Sequence, residues 1–157
     1  MTVTVVVVGK VRGELAEAIA EYESRATRYW KLEVIEVDAG APRGKVDPTS
    51  VMAAEADRIL GRIPAAAEVA ILTRDGKPLS SRGLADWLQD HAVHGSAGVA
   101  LVIGGAYGIH ETVRARARRR ISLSAMTFPH EMARLIVAEQ LYRAGTILRG
   151  EPYHKGP

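Results

Sequence analysis

LVIGGAYGIH, Leu101–His110, decides the fold. An apolar strand, Val99–Ile103, runs into Gly104, Gly105 and Gly108, where bare backbone can approach a ligand closely. Twenty residues on, ISLSAMTFPHEMARLIVAEQLYRA, Ile121–Ala144, repeats the design. A short strand at Ile121–Leu123 ends in the small, polar loop Ser124-Ala125-Met126-Thr127, closed by Phe128-Pro129, and a long helix follows. Two such loops at strand ends predict one pocket for a nucleotide-like cofactor.

Outward from this stretch, strands and helices alternate. Thr2–Val8 is a β-branched run ending at Gly9 and reads as a buried strand. Leu15, Ile19, Tyr22, Ala26 and Tyr29 lie on one helical face. Leu32–Val37 is a second strand, followed by a Gly-, Pro- and base-rich loop at Asp38–Lys45. Asp47 before Pro48 opens a helix that ends near Gly61–Pro64. Val69–Thr73 is a strand stopped by Asp75-Gly76-Lys77-Pro78, and Ser80 or Ser81 caps a helix through His91. A short helix around His110–Ala117 precedes the last strand, and Pro129 opens a helix reaching Leu148. This order predicts an α/β fold, a mostly parallel sheet with helices on both faces, in a single domain over residues 1–157.

On the last helix, Met132, Leu135, Ile136 and Tyr142 share one side, and Val137, Leu141 and Leu148 the opposite one. A surface helix needs a single apolar stripe. Two stripes predict burial by the sheet and by a second copy of the chain. A charge at Leu141 or Leu148 would then be expected to split the dimer.

Composition is that of an ordinary globular chain, 47% hydrophobic and 25% charged, which leaves enough apolar surface for a core. No cysteine is present, which excludes disulfides and thiolate chemistry. The run Val3–Val8 is too short for a signal peptide, and no run has the length of a membrane span, so a soluble cytoplasmic protein is expected. The net charge is only +3, but its distribution is uneven. Arg114, Arg116, Arg118, Arg119 and Arg120 cluster, while the acids after Asp90 are Glu111, Glu131, Glu139 and Glu151 alone. A basic C-terminal half suits a polyanion such as nucleic acid, or forms a solvated arginine face.

Several familiar sites are missing. There is no GxxxxGK[ST] loop and no GxSxG elbow. Gly104-Gly105-x-x-Gly108 is not GxGxxG, and no acid closes the next strand to hold a ribose. His91-x-x-His94 lacks a third metal ligand, so no metal is expected.

Together, GGAYG, SLSAMTFPH, EQLYRA and the terminal PYHK resemble the large-subunit rRNA pseudouridine N3-methyltransferase family, which are SPOUT or α/β-knot methyltransferases. The likeness extends to an N-terminal VxxVGK and to a Tyr-x-x-Arg helix with Tyr22 and Arg25. Ala106-Tyr107 stands where many members have proline and an acid, and Gly156-Pro157 extends the usual end. The resemblance implies a homodimer with a C-terminal trefoil knot, an exception to ordinary threading. It implies S-adenosylmethionine held by Leu72, Gly105, Ser124, Ala125, Met126, Thr127, Phe128 and Pro129. It implies methylation of N3 of a pseudouridine in 23S rRNA; alternatives are a related enzyme acting on tRNA and a non-catalytic rRNA- or nucleotide-binding protein.

For that reaction His154, with Tyr153 beside it, is the first candidate to accept the N3 proton, because both lie in the matching terminal motif. A disordered tail is the competing reading. RNA contacts are expected from Arg143, His130, Arg116 and Arg119. Arg143 also sits four residues after Glu139, the spacing of a helical ion pair.

Overall fold

The computed structural model describes residues 1–42, 44, 46–95 and 97–157. Arg43 and Lys45, in the expected Asp38–Lys45 loop, lie outside the described residues. The elements are β1 Thr2–Val8, α1 Ala16–Ala26, β2 Lys31–Val37, α2 Pro48–Leu60, β3 Glu68–Pro78, α3 Ser81–Val93, β4 Val99–Ile103, α4 Glu111–Arg116, β5 Arg119–Ser122 and α5 His130–Leu148. The strands form one sheet in the order β2-β1-β4-β3-β5, with every pairing parallel.

Helices cover both faces. Along β1, Val3, Val5 and Val7 pack with Trp87, Leu88, Val137 and Leu141, while Val6 and Val8 pack with Ala56, Ile59 and Val113 on the other face. This two-residue alternation, with both sides dry, explains why β1 and β4 are unbroken apolar runs. On the first face α5 lies between α1 and α3, touching both. Trp30 Nε1 donates to the Leu141 carbonyl at 2.9 Å, locking α5 to the end of the α1 turn.

The expected caps are present. Asp47 Oδ2 accepts from Ser50 N at 2.9 Å and Ser80 Oγ accepts from Gly83 N at 2.9 Å.

Two expectations are corrected. β3 does not stop at Thr73. It breaks register after Leu72, leaves Thr73–Gly76 unpaired, and resumes where Lys77 and Pro78 face Ile121 and Ser122 of β5. The interruption is a bulge, not a turn, because Gly76 lies directly against the β5 backbone; a Cβ there would sit 2.6 Å from Ile121 C. The second correction concerns α5. Leu141 is fully buried inside its own chain, and Leu148 packs on the same core. The side of α5 left outward carries Met132, Leu135 and Ile136, with Met132 39% exposed, whereas Tyr142, expected beside them, packs against Tyr22, Tyr29 and Tyr153.

Candidate functional site

The C-terminal ends of β3, β4 and β5 meet at a cavity of about 600 Å³. Leu72 and the bulge residues Thr73, Arg74 and Asp75 form one wall. The Ile103–Ile109 turn forms the second, and Leu123, Ser124, Met126, Thr127 and Phe128 the third. His130 and Ala133 close it from the start of α5, and Met52 from α2. Parallel sheets place their ligand sites at this end, outside the carboxyl ends of the strands.

The loops are shaped locally. Gly108 N donates to Gly105 O at 3.1 Å, folding the glycine turn back on itself. Ser124 Oγ accepts from Met126 N at 3.0 Å, and Ser122 Oγ donates to the Ser124 and Arg74 carbonyls at 3.0 and 3.1 Å. One hydroxyl therefore ties the β3 bulge to the loop after β5. Of the expected cofactor residues, Leu72, Gly105, Ser124, Met126, Thr127 and Phe128 line the cavity, while Ala125 and Pro129 belong to the same loop without lining it. His130 also lines it, its Nε2 3.4 Å from the Lys10 carbonyl.

The described side chains include two buried oxygens with no hydrogen bond of good geometry, Thr73 Oγ1 and Glu55 Oε1. Thr73 lines the cavity, and Glu55 lies against Gly105. Neither was expected from sequence. The signal for Glu55 was its spacing of four from both Val51 and Ile59, which puts a carboxylate in the buried stripe of α2. Thr73 had no signal, because it looked like the last residue of a strand.

The tail is ordered and stands elsewhere. Glu139 Oε1 accepts from Arg143 Nη2 at 2.7 Å, from Arg143 Nε at 3.0 Å and from the Tyr153 hydroxyl at 3.0 Å. Arg143 Nη1 lies 3.1 Å from His154 Nδ1, and its guanidinium covers the Tyr153 ring at 4.7 Å. His154 Nε2 lies 2.9 Å from the Pro157 carbonyl. Burial, with the Tyr22 and Glu139 side chains, holds the Tyr153 phenol far above its ordinary range, so it stays a donor. The hydrogen bond to Glu139 raises Arg143 despite its partial burial. Arg143, Tyr153 and His154 thus come together, and none of them lines the cavity.

Upstream, Glu151 N donates to the Thr146 carbonyl at 2.9 Å, and Glu151 Oε2 accepts from the Tyr29 hydroxyl at 2.6 Å. Burial and that carboxylate push the Tyr29 phenol up to about 12. The chain is therefore pinned where the tail begins.

Arg116 and Arg119 lie toward the opposite end of the sheet from the cavity. Arg116 Nη2 donates to the Ala65 and Ala67 carbonyls at 3.0 and 3.1 Å. Arg119 Nε donates to Glu68 Oε1 at 3.1 Å and covers the Trp87 ring. At the cavity mouth the exposed side chains are Arg74, Asp75, Ala106, Tyr107, Met126 and Thr127.

The family profile described as "Predicted SPOUT methyltransferase" matches residues 1–154. A protein of Gemmatimonas aurantiaca named "Ribosomal RNA large subunit methyltransferase H" is 48% identical over 156 residues, covering 99% of this chain and 100% of that protein. One of the same name from Bacillus pumilus is 41% identical over 159 residues, with 99% and 100% covered. Among solved structures, "The structure of a probable methylase family protein from Haemophilus influenzae Rd KW20" superposes with a TM-score of 0.53 at 12% identity, covering 98% of this chain and 70% of that one. At that identity the likeness concerns the fold alone.

Proposed function

The chain belongs to the SPOUT methyltransferase family, and from that premise we propose that it methylates N3 of a pseudouridine in large-subunit rRNA, with S-adenosylmethionine as methyl donor. The observation that carries this reading is the cavity itself. Its volume is of the size that holds a drug-sized ligand, roughly 300–1,000 Å³. Its walls offer loop backbone from two strand ends, an apolar floor of Leu72 and Ile103, and the Thr73 hydroxyl. That donor set suits an adenosine: apolar surface for the base, with amides, carbonyls and a hydroxyl for its edge and ribose.

S-adenosylmethionine, when bound, supplies a methyl group already activated on a sulfonium sulfur. Leu72, Gly105 and the Ser124–Pro129 loop would hold it. The remaining tasks fall to the chain: to orient the nucleotide and to accept the N3 proton. Tyr107, half-exposed at the mouth, offers a ring for base stacking, and Arg74 beside it a phosphate contact. His130 is placed to touch RNA there, and Arg143 to do so at the tail. Contacts from Arg116 and Arg119 require rRNA that reaches the far end of the sheet.

His154 is the proposed proton acceptor, and its position bears on assembly. From Glu151, pinned to Thr146, three extended residues carry His154 no more than about 10 Å. From Thr146 back to the cavity-lining Ala133 the helix spans about 20 Å. A tail that cannot reach its own cavity serves one in a second copy. This supports a homodimer built through the outward apolar side of α5, with each tail closing the partner's site. Among the described residues no helix is long and apolar enough to cross a membrane, and we place the protein with ribosomes in the cytoplasm.

Mass mapping of large-subunit rRNA from cells with and without the gene tests the function. Loss of a single methyl on one pseudouridine is expected. An unchanged large subunit, with a methyl missing from tRNA instead, would overturn the choice of substrate.

A further inference from the structure

Glu55 is 3% exposed and charged by type, yet among the described residues no cation forms an ion pair with it. Its Oε2 accepts from Gly40 N at 2.8 Å, and its Oε1 has no partner. Arg58, nearly one turn further along α2, turns its guanidinium to the Asp38 and Gly40 carbonyls, each at 2.7 Å. A buried carboxylate left without a counter-ion is costly, and a ligand that brings a positive charge close to it relieves that cost.

The position of Glu55 says which ligand. Gly105 lines the cavity, and a Cβ on it would lie 2.7 Å from Glu55 Oε1 and 3.0 Å from Oε2. Met52, one turn earlier on α2, lines the cavity as well. The carboxylate therefore stands directly behind the glycine turn, one layer outside the cavity lining. Glycine is required at position 105 because any side chain would displace it.

Resting on the cofactor reading of this cavity, we propose that Glu55 is the anion by which the site holds the cationic methyl donor more tightly than its neutral demethylated product. The two ligands share the adenosine, the α-ammonium and the carboxylate. They differ by one methyl group and one positive charge. A fixed negative charge in a poorly solvated layer acts on that difference, because the Coulomb term is only weakly screened there. Methyl transfer removes the attraction, so the chemistry itself loosens the spent ligand and frees the cavity for the next donor.

Calorimetry on the full chain tests this, with S-adenosylmethionine, S-adenosylhomocysteine and an analogue bearing a protonated amine in place of the sulfonium methyl. The wild type is expected to bind both cations more tightly than the neutral product. Glu55→Gln keeps the shape and an acceptor for Gly40 N; it should narrow the donor-to-product affinity ratio by about three- to tenfold, chiefly through the donor. Glu55→Asp, which keeps the charge, should preserve most of the ratio. A merely structural Glu55 would weaken donor and product in parallel, and that result, or an unchanged ratio, overturns the proposal. If Glu55→Gln does not fold, the wild type still decides: equal affinity for the amine analogue and the neutral product overturns it. Failure of the wild type to bind any of the three would instead overturn the cofactor reading beneath it.

Discussion

At the scale of single residues, charge and backbone space explain more than side-chain volume. Glu68 is the clearest case. Burial pushes its carboxyl up, but hydrogen bonds from Arg119 and Trp87, with the charges of His91 and Arg119, pull it below its ordinary value. A carboxylate with a depressed native value contributes stability that is present above its unfolded value and lost as pH falls through the folded one. Glu68→Gln should therefore be less stable than wild type near neutrality and lose less stability on acidification below pH of about 4. Thermal melts across an acid series measure this; parallel loss in both proteins would contradict it. Gly105 carries a second lesson. A leucine there strikes Glu55 and Val8 before it reaches any ligand, so lost cofactor binding in Gly105→Leu would report a displaced wall as well as an obstructed cavity. The glycine was legible as a place of close approach. What approaches it was not, because the Glu55 contact joins residues 50 positions apart. For the tail, His154→Ala should lower methyl transfer on the order of 10²–10⁴-fold, with partial recovery at higher pH, as loss of a general base does. Single-turnover rates on ribosomes measure it, and a normal rate would remove His154 from the reaction.

Among elements, α5 separates what periodicity reveals from what it leaves open. The two apolar sides are real, and the pattern located both. It could not say which side the chain keeps for itself, since a stripe facing a sheet and one facing another copy are chemically alike. Trp30, Val137 and Leu141 settle it from inside the fold. Leu141→Ala should cost about 2–5 kcal/mol of stability, the range for a buried leucine, read by chemical denaturation. Met132→Glu with Ile136→Glu should instead leave the monomer folded and separate the proposed dimer. Sedimentation at micromolar concentration distinguishes the two, and a dimer that survives the paired glutamates would place the interface elsewhere. β3 shows the opposite limit. Asp75-Gly76-Lys77-Pro78 has the composition of a turn and ended the expected strand. A bulge and a turn share that composition, and only the resumption of pairing with β5 tells them apart. Gly76→Ala should destabilise by about 1–3 kcal/mol through backbone overpacking.

For the whole molecule, a mostly parallel sheet with helices on both faces and a cavity at the carboxyl ends follow from the alternation of elements, and that much was legible from one sequence; the strand order β2-β1-β4-β3-β5 was not, because alternation alone fits several orders. Nor was the tail. Its motif marked it as functional, yet nothing in a linear pattern shows that it folds back on α5 and that none of its residues lines the cavity of its own chain. The proposed exchange of tails between two copies has a genetic consequence. Two dead alleles, one truncated before Tyr153 and one with a blocked cavity, should rescue each other when expressed together. Random pairing leaves half of the dimers mixed, and each mixed dimer keeps one intact cavity facing one intact tail, so about a quarter of all sites should work. Neither allele alone should show methylation, and an inert mixture would return the tail to its own chain.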